Sequence, residues 1–130
     1  MEKSHVLVVY TIGHSNASFD KIAQLLARHG IEVLVDVRSV PHSHYVPQFN
    51  QSNLTATLPE HGIEYQYAGK YLGGRPEDPA CYKSDTLPKS REDYLELVDY
   101  DKVAKQDWYQ NAIDRLIEIA GENRTAIMCS

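Results

Sequence analysis

The chain has 130 residues, 42% of them hydrophobic and 24% charged, which suits one globular domain with its own apolar core. A net charge of −5 argues against a protein that coats nucleic acid through general charge, and the longest apolar run falls far short of the roughly 18 residues a membrane span needs. Two cysteines make no disulfide framework, so the expected setting is reducing and cytoplasmic, and the N-terminus carries no signal-peptide pattern.

The chain opens on Val6-Leu7-Val8-Val9-Tyr10-Thr11-Ile12, which runs into Gly13, His14, Ser15 and Asn16. A continuous valine-rich run predicts a strand buried on both faces, as in a parallel sheet covered by helices. Gly13 lets the chain turn, which puts His14, Ser15 and Asn16 at the carboxyl end of that strand, where open α/β sheets place their ligands. Ser18 is a good N-cap for a helix over 19–29, in which Phe19, Ile22, Leu25, Leu26 and His29 recur at helical spacing, and Gly30 stops it. Residues 31–38 read as a second buried strand, completing a right-handed βαβ unit.

The loop over 39–49 is long and bounded by prolines, a length at which loops are often functional. Asn50 or Ser52 caps a helix ending near Gly62, shortened or bent by Pro59. Ile63, Tyr65 and Tyr67 alternate with Glu64 and Gln66, so the third strand has one wet face and suits an edge. Residues 69–90 are rich in glycine and proline and read mostly as loop, and the helical pattern over 91–99 is weak. A strong helix follows over 102–120, with Tyr109, Ala112, Ile113, Leu116, Ile117 and Ala120 in one stripe and Gly121 at its end. Residues 125–129 form a fourth strand.

The expected architecture is a single three-layer α/β domain over 1–130, with a mainly parallel four-stranded sheet in the order 3-2-1-4 and helices on both faces. A last strand with no helix after it leaves Ala126-Ile127-Met128 in want of cover and one edge open for pairing. Either the native protein continues or a partner chain protects the edge, which also offers a route to a homo-oligomer. The favoured expectation is a domain lacking its C-terminal end.

Four segments together resemble the domain-of-unknown-function 488 family: Thr11-Ile12-Gly13-His14-Ser15, Asp36-Val37-Arg38-Ser39-Val40-Pro41-His42-Ser43, Gly62-Ile63-Glu64-Tyr65 and Leu72-Gly73-Gly74-Arg75. Ile127-Met128-Cys129-Ser130 is similar to the opening of that family's last motif, which goes on to a glutamate and a Cys-His-Arg triplet beyond this sequence. The resemblance implies an α/β fold and a shared constellation of residues, with no agreed reaction.

Asp36 and Arg38 project on one side of their strand, and a charge ending an apolar run must be paired or face a cleft. In one reading Arg38 clamps phosphate or carboxylate bidentately while Asp36 orients a histidine or acts as base. In the other the two form a structural ion pair that fixes the following loop. His14 and Ser15 precede a helix amino end, a ready anion site, where His14 donates to an oxyanion or shuttles a proton and Ser15 bonds a ligand oxygen; capping is the plainer role. No cofactor motif is evident, since Gly13 stands alone rather than in a phosphate-binding fingerprint. His42 and His44 raise the question of metal only weakly, and no metal site is assigned.

Gly73 and Gly74 form a turn that brings Arg75 over the site or simply leaves it exposed, and Lys70, Tyr71, Tyr82 and Lys83 interleave charge and aromatic rings beside it. These cations, with Arg38, His42 and His44, lie between positions 38 and 83 and suit a local basic pocket despite the net charge. Cys129, at the carboxyl end of a parallel strand, is where thiol enzymes place a nucleophile, against the plainer reading of a buried structural cysteine. Cys81 has no evident partner. The expected function is binding of a small anionic ligand, a nucleotide or nucleic-acid end, with hydrolytic or transfer chemistry as an open addition; His14, Asp36 and Cys129 are the catalytic candidates, and Ser15, Arg38, His42, Gly73, Gly74 and Arg75 the binding ones. A non-catalytic module binding protein or nucleic acid at the same edge, and thiol chemistry at Cys129, are the alternatives.

Overall fold

In the computed structural model, which describes residues 7–129 apart from the side chains at 91, 92 and 95, four strands form one parallel sheet. They are β1 (Val9–Gly13), β2 (Val33–Asp36), β3 (Glu64–Tyr67) and β4 (Thr125–Cys129), in the order β1-β4-β2-β3. The helices are α1 (Phe19–Arg28), α2 (Gln51–Thr57), α3 (Gly69–Leu72), α4 (Arg91–Leu97), α5 (Tyr100–Ala104) and α6 (Asp107–Glu122).

Strand alternation assigns the two faces. Leu34 of β2 and Ala126 and Met128 of β4 point to one side, where they pack with Ile22 and Leu26 of α1, with Leu54 of α2, and with Phe49 and Leu58. Val33 and Val35 point to the other, against Ile119 and Leu116 of α6. Burying each such side chain stabilises the fold by roughly 1.5–3 kcal/mol, so both layers contribute. Helices on both faces of a parallel sheet make the three-layer α/β fold expected of the sequence.

The strand order corrects one expectation. β4 enters between β1 and β2 instead of lying outside β1, so both of its edges are hydrogen-bonded and the open edge expected for partner pairing is absent. β1 is the edge strand instead, with Thr11 and Gly13 exposed; Leu7 and Val8 just ahead of it are 45% and 56% exposed, and Val6 lies outside the described residues. The physical reason is that α6 covers β2 on its face, and nothing described covers β1 there. β3 takes the other edge, as its alternation predicts.

α1 forms as its caps predict: the Lys21 N–H donates to Ser18 Oγ at 3.2 Å, and Gly30 leaves the helix at φ +65°. The helix expected over 102–120 is broken between α5 and α6. Val103 joins Cys81, Tyr82 and Val98 in a separate small core, on which Trp108 and Tyr109 at the start of α6 also pack, while Ile119 near the end of α6 lies on the sheet. Ile119 was no part of the expected stripe, while Ile117 is half exposed, and α6 runs past Gly121 to Glu122.

The small core also organises the glycine- and proline-rich stretch. Tyr82 is fully buried, its O–H donating to Pro76 O at 2.6 Å, and burial pushes its phenol up to about 12. The Lys83 N–H donates to Leu97 O and the Asp99 N–H to Cys81 O, both at 2.7 Å. Among the described residues, no helix is long and apolar enough to cross a membrane.

Candidate functional site at the carboxyl rim

Asp36 ends β2 on the same face as Leu34 and is fully buried. A carboxylate there costs several kcal/mol unless its oxygens are paired. Both are. Oδ1 accepts from the Arg38 backbone N–H at 3.1 Å and from Arg38 Nε at 2.8 Å, and Oδ2 accepts from Arg38 Nη2 and from the Tyr65 O–H, each at 2.7 Å.

Arg38, its side chain 8% exposed, reaches further. Nη2 also donates to Phe49 O at 2.6 Å, and Nη1 lies 3.4 Å from His14 Nε2. His14 is buried, stacked on the Phe49 ring at 4.7 Å between centroids, with Nδ1 2.7 Å from Ser15 O. A carbonyl only accepts, so this pattern assigns a proton to Nδ1 and leaves Nε2 to accept from Arg38 Nη1. Tyr65, Asp36, Arg38, His14 and Ser15 thus form one hydrogen-bonded chain from β3 across the end of β4 to the loop after β1.

Its electrostatics are fixed by burial and by Asp36. Burial pulls the Arg38 guanidinium down, but the hydrogen bond and charge of Asp36 outweigh it and hold the side chain above its ordinary value. Burial, then the hydrogen bond and charge of Asp36, push the Tyr65 phenol far above its usual range, so Tyr65 acts as a donor.

This geometry changes two assignments. The two-pronged face of Arg38 is spent on Asp36, so the bidentate anion clamp is not available; Nη1, with two N–H groups and only His14 as a partner among the described residues, is what remains. Asp36 does not bond His14, because Arg38 stands between them. Asp36 positions Arg38, and Arg38 positions His14.

The family profile described as Domain of unknown function DUF488 matches residues 18–130. The chain belongs to the DUF488 family. No curated protein and no solved structure matches it. Asp36, Arg38 and Tyr65 fall inside the matched range, and His14 lies just ahead of it.

The other site candidates of this DUF488 chain divide into those that meet the network and those that do not. Ser15 is exposed, and the left-handed turn after β1 falls on it, at φ +47°, not on Gly13. Gly73 sits so close to the backbone of Gly69 and to Ser39 Oγ that a Cβ has no room, so its close approach is to the protein's own loop; Gly74 faces open space. The Arg75 N–H donates to Ser39 Oγ at 3.0 Å, but its guanidinium lies 5.3 Å from the Tyr94 ring centroid, drawn to α4 rather than to Arg38. His42 and His44 are both exposed, ring to ring at 5.4 Å, and among the described residues no three His, Cys, Asp or Glu side chains gather as a metal set. Tyr82 belongs to the small core, so the interleaved aromatic and basic residues do not form one surface.

Cys129 is exposed, which overturns the plainer reading of a buried structural cysteine. Strand alternation turns it to the face opposite Met128 and Asp36, with Sγ 3.9 Å from Ile12 O, so it does not join His14 and Arg38. Cys81 is buried, and burial, then Asp78, pushes its thiol up. A disulfide reagent near pH 8 is expected to label one thiol in the native protein and the second only on unfolding; two fast labels would contradict this burial. Sequence reasoning missed Tyr65 and Phe49 as parts of the network. Tyr65 shares the inward phase of Ile63, which was a usable signal, whereas the Phe49 carbonyl leaves none.

Proposed function

We propose that this DUF488 domain binds a small phosphate-bearing anion, a nucleotide or a nucleic-acid end, at the carboxyl rim of the sheet beside His14, Ser15 and Arg38. The observation that supports it is the fully buried Asp36, which is committed to holding Arg38 so that Nη1 stands against His14 with an N–H to spare. A buried ion pair seldom out-stabilises apolar side chains of the same size, so fixed geometry is its more natural role. Because Asp36 neutralises Arg38, the ligand is held by single hydrogen bonds more than by net charge, and binding is expected to depend only weakly on salt. Hydrolytic or transfer chemistry on the bound group falls to His14, whose Nε2 gives up the long hydrogen bond from Arg38 Nη1 to take a proton.

Calorimetric titration with inorganic phosphate and nucleoside monophosphates tests the reading. Saturable binding is expected, weakened about tenfold or more in His14→Ala, a loss of about 1.4 kcal/mol, with the far-ultraviolet circular dichroism unchanged. No saturable heat at millimolar ligand would contradict it. Thiol chemistry at Cys129 is the second reading, favoured by its exposure. Rapid alkylation below pH 7 supports that reading, and slow alkylation removes it.

A further inference from the structure

A groove of about 420 Å³ lies between β3, α3 and α6, on the face of the sheet opposite Asp36 and His14. Its floor is apolar, made by Val35 and Ile119. Two aromatic rings, of Tyr71 and Trp108, form its walls. Asn111 and Arg115 stand at its rim, both exposed.

Three features separate this groove from a gap in packing. Tyr71 and Trp108 lie 5.9 Å apart between centroids and tilted by 37°, so they make an angled wall rather than a closed stack, and Tyr71 keeps 44% of its surface exposed. A second hollow of about 390 Å³ opens against the same two rings, so packing leaves much of their surface uncovered. Among the described residues Arg115 is paired only with Glu118 at 3.2 Å, both more than 60% exposed; such a pair contributes little and releases the guanidinium at little cost.

The volume lies in the range of roughly 300–1,000 Å³ typical of small-molecule sites, whereas a stable protein partner needs about 800 Å² of contact on each side. Aromatic walls favour stacking of a flat ring, and a rim amide and guanidinium favour a ring whose edge carries both donors and acceptors. We infer that the groove between α3 and α6 binds a planar heteroaromatic ring of nucleobase type, stacked on Trp108 and Tyr71, with its polar edge toward Asn111 and Arg115. This site is independent of the rim, because it shares no residue with His14, Ser15 or Arg38.

Trp108 is the chain's one tryptophan, so its fluorescence, excited near 295 nm, reads the groove directly. The intact chain is titrated with adenosine, with ribose 5-phosphate and with a short single-stranded oligonucleotide. Adenosine is expected to change the emission saturably and ribose 5-phosphate to leave it unchanged. Ala112→Leu, which fills the groove from α6 with a good helix former, is expected to weaken the adenosine response at least tenfold at unchanged circular dichroism, and Tyr71→Ala likewise. His14→Ala is expected to leave the response unchanged, which separates this site from the anion reading. An oligonucleotide that binds tighter than adenosine identifies the ring as a base on a strand, and equal affinity identifies it as a free nucleoside. No saturable change at millimolar adenosine, an equal response to ribose 5-phosphate, or an Ala112→Leu variant that binds as before would overturn the inference.

Discussion

Asp36→Ala is expected to cost about 3–5 kcal/mol of stability, a large share of the roughly 5–15 kcal/mol that holds a domain of this kind together. The loss is not one ion pair's worth. It leaves the Arg38 guanidinium charged and buried, takes the acceptor from the Tyr65 O–H, and frees the anchor that ties Arg38 to Phe49 O. Glu118→Ala provides the scale. Its ion pair with Arg115, 3.2 Å long, has both side chains more than 60% exposed, so its loss is expected to cost no more than about 1 kcal/mol. Removing both partners together, Asp36→Leu with Arg38→Met, is expected to recover much of the Asp36→Ala loss while abolishing anion binding. Urea denaturation of the three variants measures this. An Asp36→Ala loss below about 1 kcal/mol would show that the carboxylate is not the hub described here.

Gly69→Ala carries the second large effect. A Cβ at this position collides with the Tyr67 O–H and with the backbone carbonyl of Arg38, and the carbonyl cannot swing aside as the tip of a side chain does. Ala is intrinsically better than Gly in a helix by up to about 1 kcal/mol, but overpacking against backbone costs about 1–3 kcal/mol or more, so the steric term wins. The substitution is expected to destabilise the domain and push α3 away from Ser39, taking the end of β2 with it. Gly74→Ala, where a Cβ meets nothing within 4 Å, is expected to change stability by less than about 0.5 kcal/mol. Equal melting temperatures for the two variants would contradict the close approach of α3 to the rim.

What could be read from the chain was what depends on local pattern. The α1 cap at Ser18, the edge character of β3 and the span of β4 follow from spacing and capping chemistry, and the structure has them. Strand order does not. The run around Val8 and Val9 shows how much apolar surface is available, not which neighbour covers it, and β4 took the central place because α6 delivers it beside β2. The same division holds at the rim. Asp36 and Arg38 share a phase at a strand end, which is visible at two-residue spacing; that Arg38 turns back on Asp36 rather than outward depends on Tyr65 and on the Phe49 carbonyl, brought there by β3 and by the 39–49 loop. Arg75 follows the glycine turn as expected, but α4, a weak pattern in the sequence, supplies the Tyr94 ring that holds it. The phase of Cys129 against Met128 could have been counted along β4, and it alone turns the thiol away from Asp36.

The most direct measurement follows the side-chain nitrogens of Arg38 by nuclear magnetic resonance in protein labelled with ¹⁵N-arginine, as phosphate is added. Held by Asp36 and Phe49, the Nε and Nη2 signals are expected to stay in place, while the Nη1 signal moves saturably and loses that response in His14→Ala. An Nη1 signal that ignores phosphate, or all three nitrogens moving together as the pair with Asp36 opens, would contradict the account.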